Sequence, residues 1–175
     1  MPDEARQRPA APPEQVPAHA TEHRIPFALQ RIDHVVLRVR DLAATVAFYE
    51  RAFGCQEVRR RDDLGLVHLR CGASMIDLIS VGGRLGRMGG AAPGAEGHNQ
   101  DHLCLRIDPF DEAAIVDHLR RMGAAPRGTA TINFGAEGEG PSLYVADPEG
   151  NVIELKGPSL DAGSRATDQP DGSRR

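Results

Sequence analysis

Apolar residues fall at every second position over 33–39, where Val35, Leu37 and Val39 alternate with His34, Val36 and Arg38. That spacing predicts a strand with one face turned to a core. The stretch 101–107 repeats the pattern, with Leu103, Leu105 and Ile107 alternating with His102, Cys104 and Arg106. Each strand is followed by a change of period. After the first, Asp41 is a good N-cap, Leu42, Val46, Tyr49 and Phe53 recur at helical spacing, and Gly54 ends the run. After the second, Asp108 or Asp111 caps, Pro109 suits a first turn, Ile115, Leu119 and Met122 form the stripe, and Gly123 closes it. Three short strands are predicted after each helix, at about 56–60, 66–71 and 74–80, then at about 125–131, 142–146 and 152–156. Asp147-Pro148-Glu149-Gly150 makes the last turn.

The order is therefore βαβββ twice, an α+β chain of two equivalent modules at 30–81 and 99–157. Between them, 82–98 holds so much glycine that it reads as a flexible linker, able to let the modules pair within one chain or between two. Residues 1–28 carry prolines and few large apolar groups, and 158–175 are similar. Neither buries enough surface to offset the entropy of ordering, so both are expected to be disordered tails.

Composition narrows the function. The net charge is -4 and gives no basic field for nucleic acid. No apolar run reaches membrane-spanning length, and the N-terminus has no apolar signal region. The three cysteines, Cys55, Cys71 and Cys104, form no C-x-x-C pair, so a disulfide framework or zinc knuckle is not expected and a reducing cytoplasm fits.

Alternation also sorts the polar residues. The faces opposite the apolar ones collect His34 and Asp77 in the first module and His102 and Glu154 in the second. Two imidazoles and two carboxylates on rigid strands suit Zn²⁺, Ni²⁺, Co²⁺, Mn²⁺ or Fe²⁺. Arg38 and Arg106 share that side and are candidates to hold a substrate anion, with solvent or nearby acids as the other reading. Cys104 is there too and reads better as a small packed thiol. His68 is a candidate pocket residue.

These pieces resemble the vicinal oxygen chelate superfamily, which includes glyoxalase I, fosfomycin-resistance thiol transferases, extradiol dioxygenases and bleomycin-binding proteins. The matching residues are Ile32-Asp33-His34-Val35-Val36-Leu37-Arg38-Val39 with Asp41-Leu42, Phe48-Tyr49 and Phe53-Gly54. Asp101-His102-Leu103-Cys104-Leu105 and Asp147-Pro148-Glu149-Gly150-Asn151-Val152-Ile153-Glu154-Leu155 complete the set. The resemblance covers about 29–157. It implies a curved mixed sheet with helices on its outer face, a divalent ion on His34, His102 and Glu154, and a homodimer. The fourth family ligand falls on Asp77, one methylene shorter than the usual Glu or Gln, so direct and water-mediated coordination both stay open.

The activity implied is a glyoxalase-type lyase or isomerase acting on a small substrate with vicinal oxygens through a metal-stabilised enediolate. Glu154 would be the proton carrier, with Asp77 second, and glutathione is a candidate co-substrate. Arg38 matches a glutathione-binding arginine, while Val81 stands where glyoxalase I has an asparagine. The alternatives are a thiol or group transferase of the fosfomycin-resistance type, a ring-cleaving dioxygenase, and a non-catalytic drug-binding protein. The segment Gly135-Ala136-Glu137-Gly138-Glu139-Gly140-Pro141-Ser142 is similar to the glycine-rich loop of the transferases.

Overall fold

The computed structural model describes residues 26–161. Most of both expected tails lies outside that range. The chain divides into two units, 1–31 and 32–175. The first is described only over 26–31, which hold no helix or strand.

In the second unit the first module runs β1 (His34–Val39), α1 (Leu42–Phe53), β2 (Gln56–Arg61), β3 (Leu66–Cys71) and β4 (Ser74–Ser80). The second runs β5 (Leu103–Arg106), α2 (Glu112–Arg121), β6 (Pro126–Gly135), β7 (Gly138–Ala146) and β8 (Val152–Lys156). The modules form two four-stranded mixed sheets of identical topology, β1-β4-β3-β2 and β5-β8-β7-β6. β1 runs parallel to β4 and β5 parallel to β8, so the first and last strands of each module lie side by side. That adjacency brings together polar residues far apart in sequence.

The predicted caps explain the helix limits. Asp41 accepts from Ala44 N at 2.9 Å, and Gly54 ends α1 at φ 68, a left-handed conformation that favours glycine. For α2 the cap is Asp111, which accepts from Ala114 N at 3.1 Å. Pro109 therefore precedes the helix rather than sitting in its first turn. The apolar strand faces turn inward as their alternation requires: Leu37, Val39, Val67, Leu69, Ile76 and Leu78 from one module and Leu143, Val145, Ile153 and Leu155 from the other are buried. Each contributes roughly 1.5–3 kcal/mol relative to an exposed side chain. Phe48, Tyr49 and Phe53 of α1 pack edge to face.

The Asp147-to-Asn151 turn ties the modules together. Asp147 accepts from Glu149 N, Asn151 N and Asn151 Nδ2 at 2.8–2.9 Å, and its Oδ2 also receives the Tyr49 hydroxyl of α1 at 3.2 Å. Glu149 accepts from Asp41 N at 2.7 Å. Asn99 bridges the Arg38 carbonyl and Asn151, both at 2.9 Å. Burial pushes the Asp147 carboxyl above its ordinary value, against the pull of these donors.

Two glycine-rich segments differ from their sequence reading, for one reason. The 82–98 segment carries a short 3-10 turn, Gly86–Gly89, and winds round the Arg38 side chain. Nη1 of Arg38 donates to Gly89 O and Ala91 O, and Nη2 to Gly86 O and Gly90 O, at 2.8–3.0 Å. A Cβ on Gly86 would lie 2.0 Å from Ser80 O, and one on Gly89 2.6 Å from Arg38 Cζ. Gly135 to Ser142, read as a loop, is a hairpin: β6 and β7 continue through it and turn over Ala136 and Glu137 alone. There a Cβ on Gly140 would meet Pro158 O at 2.5 Å, and one on Gly135 would meet Lys156 Cε at 2.6 Å. In both places glycine permits close approach.

Candidate metal centre

Each module presents one histidine and one carboxylate. In the first, His34 opens β1, and its Nδ1 lies 2.9 Å from Asp33 Oδ1. That bond, then the charge of Asp77, raises the His34 pKa. Asp77 lies on β4 beside β1, with Val36 as its register partner. Across the β3–β4 hairpin it faces His68, whose Nδ1 is 2.8 Å from Asp77 Oδ1. The approach lacks hydrogen-bond geometry, so Asp77 Oδ1 is a buried carboxylate oxygen without a hydrogen bond.

In the second module His102 immediately precedes β5. Its Nδ1 lies 2.6 Å from Asp101 Oδ2, and its Nε2 lies 3.1 Å from Glu154 Oε2 on β8. Asn133 on β6 donates to Glu154 Oε1 at 3.3 Å and to the Tyr144 hydroxyl at 2.9 Å. Tyr144 on β7 is the register partner of Glu154 and stands edge-on to the His102 ring. Burial pushes the Glu154 carboxyl up. The Ser142 hydroxyl beside it, the Asn133 amide, the Cys104 thiol and the charge of His102 outweigh that, and it titrates below its ordinary value.

The donor chemistry fits a divalent cation. A neutral His102 that donates from Nδ1 to Asp101 has only a lone pair on Nε2, and that lone pair faces an ionised carboxylate at 3.1 Å. Two acceptors at that distance require a proton or a cation between them. The Asp-His order also matches metal-site practice, in which the ligand histidine is held by a carboxylate through its other nitrogen. In the first module the buried Asp77 Oδ1, which accepts no hydrogen bond, is a carboxylate oxygen open to a cation.

The structure joins these residues in pairs. His102 and Glu154 converge, and Asp77 meets His68 with His34 within electrostatic reach. Among the described residues, no three His, Cys, Asp or Glu gather in a metal-holding group within one chain. Arg38 spends both terminal nitrogens on the linker carbonyls, and a substrate role would require giving up those bonds. Arg106 lies in a pocket of about 340 Å³ with His102, Cys104, Phe134, Glu154 and Lys156, and its Nε pairs with Glu137 Oε2 at 2.8 Å. Lys156, whose ammonium donates to Asn133 O and Gly140 O, is buried.

Sequence reasoning passed over Asn133, Tyr144 and the pairing of His68 with Asp77. Counting outward from the two-residue turn between Cys71 and Ser74 sets His68 opposite Asp77. Asn133 was hidden by the reading of its segment as loop.

Paired βαβββ modules with a histidine and a carboxylate on the open face of each define the class: a two-module fold with candidate metal-binding residues on its strands. The chain belongs to the Glyoxalase/Bleomycin resistance protein/Dioxygenase superfamily, whose family model matches residues 31–155. A virulence protein of Salmonella typhimurium (strain LT2) is 29% identical over 135 residues, which are 75% of this chain and 86% of that one. An integron cassette protein from the mobile metagenome of V. cholerae is 27% identical, with TM-score 0.59, over 75% of this chain and 97% of its own. Lactoylglutathione lyase from Agrobacterium tumefaciens is 25% identical, with TM-score 0.54, over 74% of this chain and 95% of its own.

Proposed function

We propose that the protein is a metal-dependent lyase or isomerase of the glyoxalase type, acting on a small substrate with two neighbouring oxygens, and that it works as a homodimer. His34 and Asp77 of one chain would share a divalent ion with the partner's His102 and Glu154. The observation that carries this reading is that each module brings one carboxylate near a histidine, Glu154 to His102 by contact and Asp77 to His34 by charge, while among the described residues no three such groups gather within one chain, short of the three or four protein ligands such ions take. Two exposed apolar side chains support a second copy: Val36, on the strand face of His34, is 46% exposed, and Phe134, in the pocket with His102, is 82% exposed.

The bound ion would supply a Lewis acid for the substrate oxygens and for the negative charge that develops on them. Glu154 is assigned the proton transfer. It is longer than Asp77, and Asn133 holds its Oε1 while Oε2 is directed at His102. Arg106 and Lys156 line the pocket with Glu137 and Glu154, and a divalent ion on Glu154 would leave it with the positive charge that suits an anionic substrate. That basic pair also favours a second reading, group transfer to a small anion as in the fosfomycin-resistance type, where Glu154 serves only as a ligand.

The test is Glu154→Gln assayed with methylglyoxal and glutathione after loading with each metal. Glutamine can coordinate through its carbonyl oxygen but cannot accept a proton as a carboxylate does. The variant should keep much of its metal and lose turnover on the order of 10²–10⁴-fold. Near-normal turnover by the metal-loaded variant would rule Glu154 out as the base. Activity that simply follows metal occupancy would favour group transfer.

A further inference from the structure

Outside that centre, two of the three cysteines face each other. In the antiparallel β2–β3 pair Gln56 is opposite Arg70, so the next position outward sets Cys55 opposite Cys71. Directly opposed residues of such a pair have Cα atoms about 4.5–5.5 Å apart. That lies inside the roughly 4.4–6.8 Å range that disulfides span without backbone movement. The two environments differ. Cys55 follows Gly54 and is buried in the core, while Cys71 is half-buried. Cys71 also lines an open cleft of about 840 Å³ between the end of α1 and α2, together with Phe53, Ser74, Ile115 and His118. One sulfur is thus reachable from solvent and the other waits behind it.

We propose that Cys55 and Cys71 form a reversible dithiol–disulfide site, whose oxidant is a low-molecular-weight disulfide such as oxidised glutathione admitted through the cleft. The Cys71 thiolate attacks one sulfur of R–S–S–R. The bond between those sulfurs breaks, and RS⁻ leaves and takes a proton from water. Cys55 then loses its proton to solvent, and its sulfur attacks the Cys71 sulfur of the mixed disulfide. The second RS⁻ is expelled and protonated. The protein dithiol is oxidised by two electrons and the small disulfide is reduced to two thiols. The assignment of roles agrees with the surroundings: the neighbouring Cys71 thiol, then burial in the core, pushes the Cys55 thiol up, which disfavours its thiolate as the attacking group. The bond would join the entry of β2 to the hairpin that carries His68 and Asp77.

The experiment treats the full-length protein with oxidised glutathione, blocks remaining thiols with an alkylating reagent and maps peptides by mass spectrometry. The proposal expects a Cys55–Cys71 linked peptide, loss of both free thiols and full reversal by dithiothreitol. Cys55→Ser should instead hold glutathione on Cys71 as a stable mixed disulfide, and Cys71→Ser should leave Cys55 free. The wild-type map stands even if a variant fails to fold. A wild-type protein that keeps glutathione on Cys71 beside a free Cys55, or that reacts only at Cys104, would overturn the proposal.

Discussion

At the scale of single residues, the proposed centre depends on how each candidate ligand is held. His68 donates no well-formed hydrogen bond to Asp77, yet stands 2.8 Å from its buried Oδ1. If Asp77 binds the ion directly, Asp77→Ala removes a coordinating carboxylate, whereas His68→Ala removes only its support. We therefore expect His68→Ala to weaken metal affinity by about 10–100-fold, the range for outer-shell partners, and Asp77→Ala to weaken it further. Competition with a chelator measures both. The reverse order would make His68 the ligand. Cys104 gives a second check on the same face. Although Cys104 is exposed, loss of water around its sulfur and then the Glu154 carboxylate push its thiol up to about 11. Both disfavour the thiolate, which is the reactive form. Alkylation of Cys104 should stay slow at pH 8 and climb until about pH 11, and Glu154→Gln should move that climb to lower pH. A rate that levels off by pH 9 would contradict the placement of Cys104 beside Glu154.

At the scale of elements, the helices and most strands were legible because the signals are local. Asp41 and Gly54 bound α1 through their own backbone and side-chain preferences, and alternation set the inward faces of β1, β3, β4 and β8. The four candidate ligands could be placed on one side of their strands by the same alternation. What stayed hidden was the use of glycine. A glycine that permits close approach and one that permits flexibility look alike until the neighbouring backbone is known. Thus 82–98 read as a free linker although Arg38 gathers its carbonyls, and Gly135 to Ser142 read as a loop although it completes a hairpin. Gly86→Ala tests that distinction. Its Cβ would lie 2.0 Å from Ser80 O, and overpacking of this kind costs about 1–3 kcal/mol. Chemical denaturation should show that loss. An unchanged or raised midpoint would mean that the segment is held less closely than the structure shows.

At the scale of the whole molecule, the proposed centre needs both modules, and the repeat explains why. The same topology positions a histidine at the start of the first strand and a carboxylate near the middle or end of the neighbouring last strand, once per module. Each module would thus supply half of the proposed four-ligand set. The sequence could list the four residues, but whether their sheets meet within a chain or between chains depends on contacts that no local pattern records. The direct test is to mix chains carrying His34→Ala and Asp77→Ala with chains carrying His102→Ala and Glu154→Ala, unfold and refold them together, and measure bound metal by elemental analysis. Each variant refolded alone should bind almost none. Random pairing of equal amounts makes about half the dimers mixed, and each mixed dimer restores one of its two sites, so about a quarter of the wild-type metal should return. If the mixture binds no more metal than the separate variants, the ligands do not come from two chains and the proposed centre is wrong.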